Sequence, residues 1–347
     1  MADKKFVVSL SPHISTAENT KTIMLDVIIA LIPALIAGWF YFGIRALAVV
    51  GTSVISCVLA EYVYQWFYIG FKIKNEKKTT MKDALSRAKS KTTIGDLSAA
   101  VTGLLLAYNL PVTIPYPMVI IGSVFAIIIV KQLFGGIGHN FVNPALAARA
   151  FMLASWPVAM TSFVSPVMSF SNYVNRINVT TSATPLSLLK EGFESAAAPS
   201  LYDAFLGRIG GCIGETATVL ILIGGIYLMV RRVIDARIPL AYIGSFALLV
   251  FFFGSHPYNI NFVMYHLCTG GLMLGAFFMA TDYVTTPTTK AGHIIFGIGC
   301  GILTFVIRRF GGYPEGVSYS ILLMNVVTPL IDKYVHPRKF GEVSKRG

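Results

Sequence analysis

The stretch TIMLDVIIALIPALIAGWFYF, residues 22–42, decides the solvent in which this chain folds. Asp26 is its one charged side chain. A helix rises 1.5 Å per residue, so a run of about 20 apolar residues crosses a hydrocarbon core of about 30 Å. Pro33 does not break that reading, because bilayer helices tolerate proline where neighbours satisfy the freed carbonyl.

Working outward, apolar runs of the same kind occupy residues 46–71, 95–108, 113–132, 142–158, 209–230, 238–254, 263–281, 291–307 and 316–332. Together they predict an all-α integral membrane protein with about ten transmembrane helices. Composition agrees. Hydrophobic residues make up 55% of the chain and charged residues 13%, where soluble domains carry about 25% charged residues. Met1–Lys21 is polar and no small-residue cleavage site follows the first run, so no signal peptide is expected. Cys57, Cys212, Cys268 and Cys300 lie far apart inside apolar runs and form no CxxC. They read as small buried hydrophobes, or else as ligands of an iron–sulfur centre shared with a partner chain, and not as zinc ligands or a disulfide framework.

In a soluble protein a net charge of +12 would point to nucleic acid. Here the basic residues gather in connections between apolar runs, so topology explains them and no nucleic-acid partner is expected. Residues 72–93 hold Lys72, Lys74, Lys77, Lys78, Lys82, Arg87, Lys89 and Lys91. Arg231, Arg232 and Arg237 fill a later connection, and Lys333, Arg338, Lys339, Lys345 and Arg346 fill the tail. An even number of spans puts all of these on the side of Lys4 and Lys5, which the positive-inside rule makes the cytoplasm. Both termini are then cytoplasmic. Arg45, Arg308 and Arg309 fall on the opposite side. The basic stretch Met81–Lys91 suits contact with anionic membrane lipid.

The two halves share an order of motifs. Thr102-Gly103-Leu104-Leu105-Leu106 is followed by Val112-Thr113-Ile114-Pro115, and Thr269-Gly270-Gly271-Leu272-Met273 by Val284-Thr285-Thr286-Pro287. Gly135-Gly136 and Gly311-Gly312 precede the last run of each half, while Asp26 and Glu215 lie early in the first. This predicts two inverted five-helix repeats, residues 1–158 and 209–347, as in inverted-repeat transporters. Residues 159–208 become one long extracytoplasmic loop at the junction, and loops of such length are usually functional or disordered.

Within that loop runs Val179-Thr180-Thr181-Ser182-Ala183-Thr184-Pro185-Leu186. Taken alone it is a polar, extended Ser/Thr segment, with Pro185 biasing Thr184 away from helix. In the apolar runs, Asp26, Glu61, Arg149, Glu215 and Asp282 stand out, because each intramembrane charge costs about 2.5–3.5 kcal/mol on insertion scales. Asp96, Lys131 and Asp332 lie near run ends, where they can reach the interface. His139, His266 and His293 show no i, i+4 metal spacing and read as packing residues near the starts of runs.

The loop residues resemble the flavinylation site of the NqrB/RnfD family. That pattern, Ser-Gly-Ala-Thr often followed by Pro-Leu, ends on the Thr that forms a phosphoester with FMN. Thr184 stands at that position, Ala183-Thr184-Pro185-Leu186 is intact, and Thr181 and Ser182 replace the usual Ser and Gly. Family-like segments recur along nearly the whole chain: Ser11-Pro12-His13, Asp26–Pro33, Gly138–Ala145, Gly214-Glu215-Thr216, Ala280-Thr281-Asp282 and Gly312–Gly316. The short start favours the RnfD branch, since NqrB usually carries a longer N-terminal extension.

The resemblance implies a membrane flavoprotein subunit of an Rnf-type complex in the prokaryotic inner membrane. It would carry electrons through FMN joined to Thr184 by an extracytoplasmic flavin transferase. With the other Rnf subunits it would couple ferredoxin:NAD electron transfer to Na⁺ or H⁺ translocation. It also allows a second, non-covalent flavin such as riboflavin between the halves. Asp26, Arg149, Glu215 and Asp282 then become candidates for an ion path or a flavin environment. For Arg149 the plainer reading is a structural partner of a carboxylate or of backbone carbonyls. The chain lacks a GxGxxG fingerprint and an iron–sulfur Cys cluster, so it does not read as a dehydrogenase on its own. Two alternatives stand beside this reading. One is an NqrB-like subunit of a Na⁺-pumping NADH:quinone oxidoreductase. The other is a flavin-free inverted-repeat transporter or channel.

Overall fold

Asn19 starts the first helix. Its side chain accepts the Thr22 N–H at 2.9 Å, and its own N–H donates to Thr22 Oγ1 at 3.0 Å. This reciprocal cap satisfies two of the donors that a helix start leaves open. The computed structural model describes residues 18–77, 94–164, 166, 186, 200–215, 218–312 and 316–336. Thr184 and most of the predicted extracytoplasmic loop lie outside the described residues, as do the basic stretch Met81–Lys91 and most of the tail.

From Asn19 the chain runs as α1 (Thr20–Phe42), α2 (Ile44–Lys77) and, after a 3₁₀ turn, α3 (Ser98–Tyr108). Next come α4 (Tyr116–Val124), prolonged by a π-helical stretch Phe125–Gln132, α5 (Pro144–Ser155) and α6 (Pro157–Thr161). The second half holds α7 (Leu201–Leu206), α8 (Thr218–Val230), α9 (Arg237–Phe253) and α10 (Ile260–Cys268). It closes with α11 (Leu272–Leu274), prolonged by a π-helical stretch Gly275–Met279, α12 (Lys290–Phe310) and α13 (Val317–Tyr334). Every described element is helical.

Three of these helices, α1, α2 and α12, are long and apolar enough to cross a membrane alone. The pair α10–α11 makes a fourth when read as one span bent by 65°. Five further apolar helices have 10–17 residues, and α13 has 18. In α1 the outward face is as apolar as the inward one: Ile29, Ile32, Ile36 and Phe40 are exposed, while Ala30, Leu31 and Ala34 are buried. A helix apolar all round belongs in lipid.

Two predicted runs differ in detail. In the run 209–230 the described residues Ile209–Glu215 are not helical, and α8 is described from Thr218. The first part of the run instead gives its backbone to the end of α3: Ile213 N–H donates to Leu110 O at 3.1 Å and Gly214 N–H to Tyr108 O at 3.0 Å. Those bonds replace helical ones, and buried backbone groups must find one or the other. The run 263–281 is broken at Thr269-Gly270-Gly271, where Gly270 and Gly271 take φ of 73° and 65°. Glycine adopts that left-handed geometry at little cost.

Packing joins the halves. α1 lies along α8, α5 meets α13, α9 lies along α12, and α2 holds α3 and α4. At the α1–α8 crossing a Cβ on Gly224 would run into the Ala30 carbonyl oxygen. The backbones touch there, as at small-residue crossings in bilayers.

Candidate functional site

The two π-helical stretches shape a cavity between the halves. A π turn inserts a residue and re-aims the side chains beside it, and such turns are frequent at functional sites. Here they bring Lys131 from one half and Phe277 and Phe278 from the other to a shared space of about 380 Å³. Ile23, Met24 and Val27 of α1 and Ser98 and Thr102 of α3 add further wall. Asn140, Asn143 and Asp282 supply its polar points. An apolar pocket with a few convergent polar groups, in a size range of about 300–1,000 Å³, is the usual form of a cofactor site.

Lys131 does not reach for the interface, as its position near a run end allowed. Its ammonium is buried 3.0 Å from the Glu61 carboxylate and 2.6 Å from Ser98 Oγ. Gln132 Nε2 donates to Glu61 Oε1 at 2.6 Å, and Asp96 Oδ1 accepts the Ser98 hydroxyl at 2.8 Å. The paired charges and their partners satisfy one another, which is what a buried ion pair requires.

Asn143 organises the opposite wall. It caps α5 by accepting the Ala145 N–H at 3.0 Å, and its amide donates to Met279 O at 3.3 Å. Its own N–H donates to Asn325 Oδ1 at 3.3 Å, which ties α5 to α13. Asp282 accepts the Thr285 hydroxyl at 3.3 Å.

Of the four charged candidates, Asp282 alone lines the cavity. Asp26 links α1 to the end of α8, accepting from Tyr227 OH at 2.9 Å and Arg231 Nη2 at 3.1 Å. Arg149 sits buried on α5, donating to Asn109 Oδ1 at 2.8 Å and Ser318 Oγ at 3.0 Å. Its Nη2 lies 3.9 Å from Cys212 Sγ, and the Cys212 N–H faces Glu215 Oε2 at 3.4 Å. Glu215 therefore stands in a turn before α8, not within the helix. His266 lies in the last turn of α10, not at a helix start. Arg308, out of place by the charge rule, is buried and donates to the carbonyls of His266, Thr269 and Gly270. It serves the helix break and not the topology. Sequence reasoning did not pair Lys131 with Glu61, nor find Asn143. A lysine in an apolar run was the available signal, but its partner is 70 residues away.

These features define a class: a helical membrane protein with an apolar, polar-tipped cavity assembled from both halves of the chain. The chain belongs to the NQR2, RnfD, RnfE family, which it matches over residues 7–341. It is 47% identical to the D subunit of the Na⁺-translocating ferredoxin:NAD⁺ oxidoreductase complex of Acetobacterium woodii, over 98% of this chain and 97% of the relative. It is 44% identical to the D subunit of the proton-translocating ferredoxin:NAD⁺ oxidoreductase complex of Clostridium ljungdahlii, over 97% and 96%. The D subunit of the ion-translocating oxidoreductase complex of Erwinia tasmaniensis is 35% identical over 97% and 98%.

Proposed function

We propose that this chain is the D subunit of an Rnf-type complex that couples ferredoxin:NAD⁺ electron transfer to ion translocation. The observation that carries this reading is similarity along nearly the whole length of both chains to relatives bearing that name. The chain is an electron carrier among the other Rnf subunits and not catalytic alone. It lies in the bacterial inner membrane with both termini cytoplasmic.

FMN is joined to Thr184 through a phosphoester installed by a flavin transferase outside the cell membrane. The intact Ala183-Thr184-Pro185-Leu186 supports this, as does the burial of Leu186. When bound, a flavin supplies one- and two-electron redox chemistry, and the protein supplies position and electrostatics. The 380 Å³ cavity suits a second, non-covalent flavin such as riboflavin. Phe277 and Phe278 would flank a flat ring, and Asn140 and Asp282 would meet its polar edge.

Two inverted five-helix halves, about ten spans in all, fit the packing. Elements of like order meet across the halves, α1 with α8 and α5 with α13, while the pair α2–α4 is matched by α9–α12. The two relatives named for different ions are about equally similar, so similarity does not select Na⁺ or H⁺. Glu215 and Asp282 are the acids we assign to the ion path or flavin environment. Asp26, engaged by Arg231 and Tyr227, and Arg149, engaged by Asn109 and Ser318, hold elements together.

The test is flavin fluorescence of the denatured chain in a gel. Wild type should fluoresce and Thr184→Ala should not. Undiminished fluorescence in Thr184→Ala would refute the attachment.

A further inference from the structure

Arg308 and Arg309 stand in the last turn of α12, on the side that the charge rule leaves poor in basic residues. Arg308 is accounted for by the carbonyls of the helix break: His266 O at 2.6 Å, Thr269 O at 3.0 Å and Gly270 O at 3.1 Å. Arg309 has no such part in the fold. It is exposed, donates through Nη1 to Ser255 Oγ at 2.8 Å, and forms no ion pair among the described residues. Both arginines line a second cavity of about 220 Å³, walled by Phe246 and Phe262, with Ser255 and His266 as further polar points. Among the described residues no Asp or Glu lines it. His266 Nδ1 is buried and finds no hydrogen-bond partner among the described residues. Buried polar atoms are nearly always hydrogen-bonded, so this one marks a place for a further polar group.

The cavity lies at a definite depth. α12 has 21 residues and is long and apolar enough to cross a membrane. At its helical rise it spans about 31 Å, the thickness of a hydrocarbon core, so its last turn reaches the headgroups. Tyr258, in the connection after α9, is exposed, as aromatic side chains of the interfacial belt are. Phe253 and Phe310, which close α9 and α12, present exposed apolar surface beside it.

We propose that this cavity seats the headgroup of an anionic phospholipid, with Arg309 donating to the phosphate and the acyl chains lying outside on the apolar surface. A guanidinium fork matches phosphate oxygens in geometry and charge, and basic pockets between membrane helices bind anionic headgroups. A choline or ethanolamine headgroup would bring its ammonium against two arginines with no carboxylate to receive it. The pocket therefore selects a lipid with net negative charge. At about 220 Å³ it falls below the usual range of about 300–1,000 Å³ for whole ligands, which suits a headgroup and not a complete molecule. Free phosphate presents the same oxygens, so the test separates it from lipid.

The probe is phosphatidylglycerol carrying a diazirine beside its headgroup, added to the whole complex purified in detergent. Light-induced adducts are mapped by mass spectrometry onto residues 246–266 and 302–310. Wild type is compared with Arg309→Gln and with Ser255→Glu, which sets a carboxylate against Arg309 at an exposed position. Neither variant touches the helix break. Wild type should be labelled at these segments. Unlabelled phosphatidylglycerol should compete, while phosphatidylcholine and millimolar inorganic phosphate should not. Labelling should fall about fivefold in each variant, the worth of one basic residue at an anionic membrane surface. Labelling equal to wild type in either variant would overturn the site and leave Arg309 only complementing the end of α12. Equal competition by phosphatidylcholine would reduce the occupant to ordinary boundary lipid, and competition by inorganic phosphate would make the cavity a free-anion site. Either result overturns the proposal.

Discussion

At the scale of single residues, the pair Glu61–Lys131 is a salt bridge buried on both sides. Both side chains are almost completely shielded, so removing one partner strands a charge. Such a break costs about 3–5 kcal/mol, whereas replacing both partners by apolar groups of similar volume is often neutral or stabilising. Glu61→Gln should therefore lower the melting temperature of the complex markedly, and Glu61→Met with Lys131→Met should recover most of it. A double variant as unstable as the single one would mean that the pair does more than satisfy itself. The sequence marked Glu61 as costly but left Lys131 free to reach the interface. What it lacked was the approach of α2 to the π-helical stretch, a tertiary fact. Thr184 is the opposite case. Its four-residue context, on which the proposed attachment rests, is legible because it lies in consecutive residues.

At the scale of elements, apolar runs gave the helices to within a few residues, since period and length are local properties. Where they failed, the cause was a competing partner or a backbone turn. Ile209–Glu215 reads as apolar and helical, yet the N–H groups of Ile213 and Gly214 bond the end of α3. The run 263–281 is continuous in hydropathy, yet Gly270 and Gly271 bend it. The crossing of α1 and α8 offers a test of the packing between halves. Any side chain at Gly224 meets the Ala30 carbonyl. Gly224→Val should force the helices apart at a cost of about 1–3 kcal/mol or more, the range for overpacked interiors. The reading is a lower melting temperature and weaker cross-linking between cysteines placed on α1 and α8. Unchanged cross-linking would show that the crossing is looser than described.

At the scale of the whole molecule, elements from both halves of the chain meet around one cavity beside Lys131. Membership of the family was legible from motifs spread along the chain. The cavity was not, because its wall combines residues as distant as Met24, Lys131 and Phe277. The most direct test uses inside-out vesicles holding the complex, supplied with reduced ferredoxin and NAD⁺. Wild-type vesicles should form NADH and accumulate Na⁺ or H⁺ in proportion. Vesicles with Thr184→Ala, in which the complex is still assembled, should lose both. Unchanged NADH formation and ion uptake in Thr184→Ala would contradict the assignment of this chain as the electron-carrying member of the complex.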